Sequence, residues 1–425
     1  MKNPFNLTSS RSYQWNRRLA GAAMLAVMSF SIAHARTWTS SDGGKTFEGD
    51  LTSYDPASGM VGVKLANGSV MNFNREKLAA ADLAFLKEQG ATSPAPASSG
   101  GVSAADVPEA LPDPDDKEAN MSKPVQVFIL MGQSNMVGAG KIPTLEAAVK
   151  EGLYPYLIDD AGKWTERKDV RNVRVMVGKG GGMQLFNNEW MRVTGKTIGP
   201  EFGIGHVLGH VIDEPVLILK SCIGNRSLGW DLLPPGSEPY EFNGKTEPGY
   251  RGTPENPKGN GEKVEGAWYA GKQYDDDVEN AKTVLADLNK YYPGAKKYEV
   301  AGFFFWQGEK DCGSAAHAEN YEANLVRFIK RLRTDFEAPD AKFVLATLGE
   351  AKKGTGGNGG KVLDAQLAVD GATGKHKEFA GNVATVYANP LSNGGSGNSH
   401  YNGNAGTYMN VGEAMGRAMA ALLSN

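Results

Sequence analysis

The sequence predicts an α/β fold, a doubly wound parallel sheet preceded by a small all-β module. Three observations predict it. Apolar runs of strand length, Val125–Met131, Val216–Leu219 and Tyr298–Phe305, alternate with longer stretches of helical spacing. These runs lack polar alternation, which marks strands covered on both faces. Residues 36–89 instead hold short strand candidates around glycine turns, and a stretch too poor in apolar residues for a core follows them.

A chain of 425 residues has room for a large α/β domain and an accessory module. Its formal charge is −3, and removing Lys2, Arg11, Arg17 and Arg18 with residues 1–35 takes it to −7. That balance argues against a nucleic-acid partner. Residues 1–35 read as a secretory signal. Arg17-Arg18 precede the apolar run Leu19–Ala33, and Ala33-His34-Ala35 gives a small-x-small cleavage pattern. The run is shorter than the roughly 20 residues that span a bilayer. No later stretch is long and apolar enough either, so no membrane span is expected after cleavage. The expected location is secreted or periplasmic. The two cysteines, Cys222 and Cys312, are no disulfide framework. One bridge in an oxidising compartment and two free thiols both remain open.

In residues 36–89, Val61–Leu65 and Val70–Phe73 read as strands joined at Asn67-Gly68, a hairpin signal. Arg36–Phe47 adds a strand pair around Gly43-Gly44. Leu78–Lys87 closes the module as a helical turn, with Leu83 and Leu86 expected to pack inward. The Arg-x-Trp-Thr opening, the Asp-Gly-Gly-Lys-Thr-Phe turn and the Leu-x-x-x-Asp-x-x-Phe-Leu close resemble the small Src-homology-three-type β-barrel first described in endocytic adaptor proteins. The resemblance implies protein or cell-surface contact through residues 36–89, without chemistry.

Residues 90–122, rich in Ala, Ser, Pro and Gly and then acidic, read as a disordered linker. Residues 123–425 form the main domain. Arg171–Lys196 reads as irregular and glycine-rich. Gly195-Lys-Thr197 is no phosphate loop, because Trp190 occupies the position where that motif needs glycine and no strand is expected before it. Pro200–Val211 is helical. Leu233–Gly266 has no periodicity and reads as one long loop. Helices are expected over Lys272–Asn289, Ala318–Phe336 and Asn404–Leu423, and further strands over Lys342–Thr347 and Val383–Tyr387.

The chemistry is expected at the carboxyl ends of the strands, where ligands bind in such sheets. Strand one ends at Gly132, which permits a sharp turn before Ser134 and Asn135. Later strands deliver Asn225 and Arg226, then Gln307, Glu309 and Asp311, then Asn389, with His400 before the last helix. A serine nucleophile needs a base, because its hydroxyl is protonated near neutral pH. Of six histidines, His400 is the one whose position approaches this edge. His206 and His210 are four apart on a helix, but no third metal ligand accompanies them, so packing or solvent exposure is expected and no metal. His317 starts a helix and reads as a cap, and His376 lies among charged loop residues.

Gly132-Gln-Ser-Asn-Met136, Gly199-Pro-Glu-Phe-Gly203, Trp306-Gln-Gly-Glu-x-Asp311 and the late histidine together resemble the SGNH hydrolases. The resemblance is nearest to the sialate O-acetylesterase-like carbohydrate esterases. It implies a three-layer α/β/α, flavodoxin-like sheet that hydrolyses acetyl esters of sugars, sialate or xylan type, through an acetyl-serine intermediate without cofactor. Ser134 would be nucleophile and His400 general base. Backbone amides at Ser134 and Gly199, with the Gln307 side chain, would form the oxyanion hole. Gln133, Asn135, Asn225, Arg226, Trp230 and Trp268 would contact substrate. Where many members carry an aspartate three residues before the histidine, this chain has Gly397. Glu309 is the first substitute to orient His400 and Asp311 the second; without either the site is a Ser-His dyad. Met136 replaces the second glycine of Gly-x-Ser-x-Gly, which disfavours the α/β-hydrolase fold. The alternative is a non-catalytic surface carbohydrate-binding protein on a degenerate hydrolase fold.

Overall fold

The computed structural model describes residues 36–55, 60–65, 70–89, 107–108, 110–114, 118–178, 180–259, 268–395 and 400–424. The chain divides into two units, Met1–Ala97 and Ser98–Asn425. In the first, β1 (Arg36–Thr39), β2 (Thr46–Asp55), β3 (Met60–Leu65) and β4 (Val70–Asn74) form an antiparallel sheet in that order, followed by α1 (Ala80–Gln89). Trp38 fills its centre with Val61, Val63, Leu78 and Leu86, and its indole N–H donates to the Gly49 carbonyl at 3.0 Å. Asp82 takes the Arg36 guanidinium at 2.7 Å and the Thr39 N–H at 2.8 Å. Leu83, expected inside, is 36% exposed. The inward face of α1 is Asp82, Phe85 and Leu86, the i, i+3, i+4 set, which leaves Leu83 off it. The Asn67-Gly68 turn and the signal segment lie outside the described residues.

The second unit begins with β5 (Val125–Gly132), α2 (Ser134–Val137), β6 (Gly140–Lys141) and α3 (Ile142–Lys150). The hairpin β7 (Glu166–Val177) and β8 (Met183–Arg192) follows, then β9 (Thr197–Ile198), α4 (Glu201–Val211) and β10 (Val216–Ser221). A small hairpin, β11 (Tyr240–Phe242) and β12 (Lys245–Glu247), precedes α5 (Lys272–Ala286), α6 (Leu288–Tyr291) and β13 (Tyr298–Trp306). The chain ends with α7 (Ala315–Asp335), β14 (Lys342–Ala346), α8 (Gly357–Ala368), β15 (Val383–Val386) and α9 (Ala405–Leu423).

Seven strands form one sheet in the order β15-β14-β13-β5-β10-β7-β8, parallel throughout except that β8 runs antiparallel to β7. Central β5 and β10 are buried along nearly their whole length, as their unbroken apolar sequences require. Residues of α5, α7 and α8 cover one face, around Val278, Phe328 and Val362. Residues of α3, α4 and α9 cover the other, around Leu145, Ile204 and Met409. Strand β5 feeds α3 on one face, while its neighbours β10 and β13 feed α5 and α7 on the other. A crevice therefore opens at the carboxyl end of β5.

Four expectations are corrected. Arg171–Lys196 is not irregular: it holds most of the β7–β8 hairpin, closed where the Gly178 N–H meets the Gly182 carbonyl at 2.9 Å. Its charged residues masked the strand, because they are satisfied inside the fold. Arg167 pairs with Asp169 at 2.6 Å, and Arg171 donates to the Tyr291 carbonyl at 3.0 Å. A strand, β8, thus does precede Gly195-Lys-Thr197, although residue 190 is still tryptophan. The linker is packed at its end: Leu111 is buried in the α4/α9 core, and the Val107 carbonyl accepts from Arg417. The Leu233–Gly266 loop contains β11–β12, while residues 260–267 lie outside the described residues. Cys222 and Cys312 are free thiols.

Candidate active site

Strand β5 approaches β13 so closely at Gly132 that a Cβ there would lie 2.4 Å from the Trp306 carbonyl oxygen. Gly132 also has φ +142°, a conformation that side chains rarely adopt. The chain turns there, and Ser134 starts the single turn of α2 with its backbone N–H in the unpaired first position. A Cβ added at Gly224 would sit 3.5 Å from the Ser134 Cβ, so the loop after β10 lies against the serine. Ser134, Asn225, Glu309, His317, Glu350 and His400 line one cleft of about 1000 Å³ at this edge.

Two contacts join the Ser134 and His400 segments. Asn135 Nδ2 donates to Tyr401 Oη at 3.4 Å, and Tyr408 Oη donates to Asn135 Oδ1 at 3.4 Å. Tyr401 stacks on Trp306 with ring centroids 6.1 Å apart. His400, Tyr401 and Asn402 are all left-handed, at φ 49°, 57° and 54°, and such residues concentrate at functional sites.

Neither candidate carboxylate is hydrogen-bonded to His400. Glu309 accepts from Gln133 Nε2 and, at 2.6 Å, from Asn135 Nδ2, the two amides that flank Ser134. Burial pushes its carboxyl above the usual range, and these donors partly oppose that. Asp311, wholly buried, accepts from the Leu228 and Gly229 N–H groups at 2.9 and 2.7 Å and from Gln307 Nε2 at 2.6 Å. It ties down the loop that carries Asn225. Its nearest imidazole is His317, with Nδ1 at 4.0 Å.

Two expected oxyanion donors point elsewhere. Gln307 is wholly buried, and its Nε2 serves the Arg226 carbonyl at 2.9 Å as well as Asp311, while its Oε1 accepts from Tyr321. The Gly199 N–H donates to Glu201 Oε1 at 3.2 Å. The family resemblance had implied both, but Gly199 is claimed by Glu201 two residues on, and Gln307 by nearby Asp311 and by Arg226 from a distant segment. Gly224, missed in the sequence, lies beside Ser134 and lines the cleft; its place one residue before Asn225, just after β10, was the available signal.

Among the expected substrate contacts, Gln133, Asn135 and Asn225 line the cleft; Arg226, Trp230 and Trp268 are not among its lining residues. Arg226 instead lies over the Trp268 ring at 4.6 Å, and the Trp268 N–H donates to Asp231 at 3.0 Å. Asn389 donates to the Gly349 carbonyl at 2.8 Å. His206 is buried against Tyr156 with ring centroids 4.8 Å apart, and burial holds its imidazole well below the ordinary value. His376 is paired with Glu322 at 2.8 Å. Ser314, not His317, supplies the side-chain cap of α7. Cys312 lines the cleft with its thiol pushed up to about 12 by burial and then by Glu309 and Asp311, so it is no ready nucleophile. Among the described residues no group of three or more His, Cys, Asp or Glu is placed to hold a metal ion.

Residues 258–421 match a family model, that of the carbohydrate esterases, sialic acid-specific acetylesterase. The matched segment includes Gln307, Glu309, Asp311 and His400 but begins after Ser134. No curated protein matches the chain. Among solved structures, the chain is similar to a protein from Arabidopsis thaliana at 16% identity and TM-score 0.40, covering 70% of this chain and 98% of that one. It is similar to a novel carbohydrate acetylesterase from Xanthomonas citri at 14% identity and TM-score 0.41, covering 70% of this chain and 56% of that one. A third likeness, to NanS, has 16% identity and TM-score 0.29, covering 52% of this chain and 67% of that chain.

Proposed function

We propose that the chain is a secreted or periplasmic serine esterase of the SGNH type that removes O-acetyl groups from carbohydrates. The observation that carries the reading is that Ser134 and His400, 266 residues apart, line the same cleft at the carboxyl end of β5. The match of residues 258–421 to a carbohydrate esterase family supports it.

In the proposed reaction His400 takes the Ser134 hydroxyl proton as Oγ attacks the acetyl carbonyl carbon. The tetrahedral intermediate collapses by breaking the bond to the sugar oxygen, which leaves with the proton from His400. A water, deprotonated by His400, then attacks the acetyl carbonyl carbon; the bond to Ser134 Oγ breaks, Oγ takes the proton back from His400, and acetate leaves. The developing oxyanion is met by the Ser134 N–H and the Gly224–Asn225 segment; losing one such donor typically costs about 10²–10³ in rate. Glu309 holds Gln133 and Asn135 and so fixes the serine from both sides. Residues 36–89 serve as a contact module.

Acetate release from acetylated glycans and from a chromogenic acetyl ester tests the reading. Ser134→Ala and His400→Ala should each reduce turnover by about 10³-fold or more. Full turnover in both would reject it. Saturable glycan binding without acetate release would favour the non-catalytic alternative.

A further inference from the structure

In a triad the imidazole of His400 would have a carboxylate beside it, and the two expected sources are spoken for. Glu309 is bound by Gln133 and Asn135, and Asp311 by two backbone amides and Gln307. Residue 397 is glycine and lies outside the described residues. Among the described residues, the carboxylates lining the cleft are Glu309 and Glu350.

Glu350 follows β14, four residues beyond its end at Ala346, at the same sheet edge as Ser134. Its loop is fixed from several sides. Trp306 Nε1 donates to the Thr347 carbonyl at 3.1 Å, the Leu348 N–H donates to Gln366 Oε1 at 3.0 Å, and Asn389 Nδ2 donates to the Gly349 carbonyl at 2.8 Å. Gly349 lies so close to Tyr401 that a Cβ on it would be 2.4 Å from the phenol oxygen. Residues 349 and 401 are thus in contact, and their chain neighbours, Glu350 and His400, share the cleft wall. We propose that Glu350 is the positioning residue for His400 and faces the imidazolium formed when that ring takes the serine proton. This rests on the esterase reading above. Behind burial, the charge of Glu350 is among the influences that raise the Tyr401 and Glu309 groups, which puts it within electrostatic reach of both flanks of the cleft. The other titratable groups lining the cleft are Lys310, Cys312 and His317.

In the proposed cycle Glu350 holds the ring in the tautomer whose other nitrogen accepts from Ser134, the role an aspartate plays in hydrolytic triads. The test uses the full chain with Glu350→Gln, Glu350→Asp, Glu309→Gln, His317→Ala and His400→Ala. Glu350→Gln should lower kcat by about 10²–10⁴-fold with little change in KM, and Glu350→Asp should recover part of it. Proton NMR supplies a readout independent of turnover. Wild type should show an imidazole N–H resonance shifted far downfield, lost in His400→Ala and in Glu350→Gln but kept in His317→Ala and Glu309→Gln. A resonance that is absent from wild type or survives Glu350→Gln, or a Glu350→Gln enzyme with full kcat, overturns the proposal and leaves the esterase reading standing. An absence of acetate release from wild type removes the esterase reading, and the NMR arm still decides whether Glu350 holds the ring.

Discussion

Lys220 sits near the end of β10, 1% exposed. Its ammonium lies 2.5 Å from Glu201 Oε2 and 2.9 Å from the Val137 carbonyl at the end of the α2 turn. Glu201 receives one further donor, the Gly199 N–H at 3.2 Å. Lys220→Met keeps most of the volume but strands a buried carboxylate on that single weak donor. Removing one member of a buried ion pair costs about 3–5 kcal/mol. The Val137 carbonyl also loses its donor, worth about 1 kcal/mol more. The methionine stem retains the apolar contacts, so a net loss of about 4 kcal/mol is expected. With an unfolding entropy of about 2.1 cal/mol/K per residue over a unit of roughly 300 residues, Tm falls by about 6 °C. Urea titration followed by tryptophan fluorescence, with calorimetry of the full chain, measures this. The double variant Lys220→Met/Glu201→Gln removes the stranded charge and should recover about half of that loss, so the two sites are coupled. If Lys220→Met stayed within about 1 kcal/mol of wild type, or the coupling were near zero, the pair would not be holding this edge together.

Asp277 is wholly buried; burial pushes its carboxyl well above the ordinary value, opposed in part by the Gln273 amide at 2.6 Å. The folded state thus keeps this proton to higher pH than the unfolded chain. Stability through this group is full below the ordinary aspartate pKa of about 3.9 and falls as pH rises through the raised one. Asp277→Asn should gain on wild type with rising pH, by up to about 1.4 kcal/mol per pH unit in that window; a pH-independent offset in urea titrations would contradict this. Glu309→Gln weakens two charge-assisted hydrogen bonds to the residues flanking Ser134, and acetate release should fall by about 10–100-fold while Tm changes little; an unchanged rate would deny Glu309 its anchoring role. Cys222 is buried and Cys312 half-buried on the cleft wall, both as free thiols, so thiol titration should find Cys312 slowly in the native protein and Cys222 only after denaturation, and reductant should leave Tm unmoved.

The parallel sheet was legible because Val125–Met131, Val216–Leu219 and Tyr298–Phe305 are apolar without interruption, a pattern with few other uses in this context. The β7–β8 edge was hidden by Arg167, Asp169 and Arg171, whose charges are answered by partners that only the fold supplies. Helix α8 was hidden by Gly357, Gly359 and Gly360, poor helix formers at its start that Val362 and Leu363 nonetheless carry into the core. At the site, chain order located Ser134, Glu309 and His400 at one edge, because each follows a strand or precedes a helix there. Direction was not legible. Gln307 and Asp311 stand at the same edge but turn inward, drawn by Arg226, Leu228 and Gly229 from some eighty residues earlier.

The left-handed triplet His400-Tyr401-Asn402 has a thermal consequence. Each non-glycine residue wound this way carries about 1–2 kcal/mol of conformational tension, restrained by the Tyr401–Trp306 stack and by the Asn402 amide on the Gly394 carbonyl. Three such residues in a row act as a coiled spring at the base of the imidazole. On warming, that spring should release before the sheet does, so catalytic competence would vanish reversibly some degrees below the main calorimetric peak.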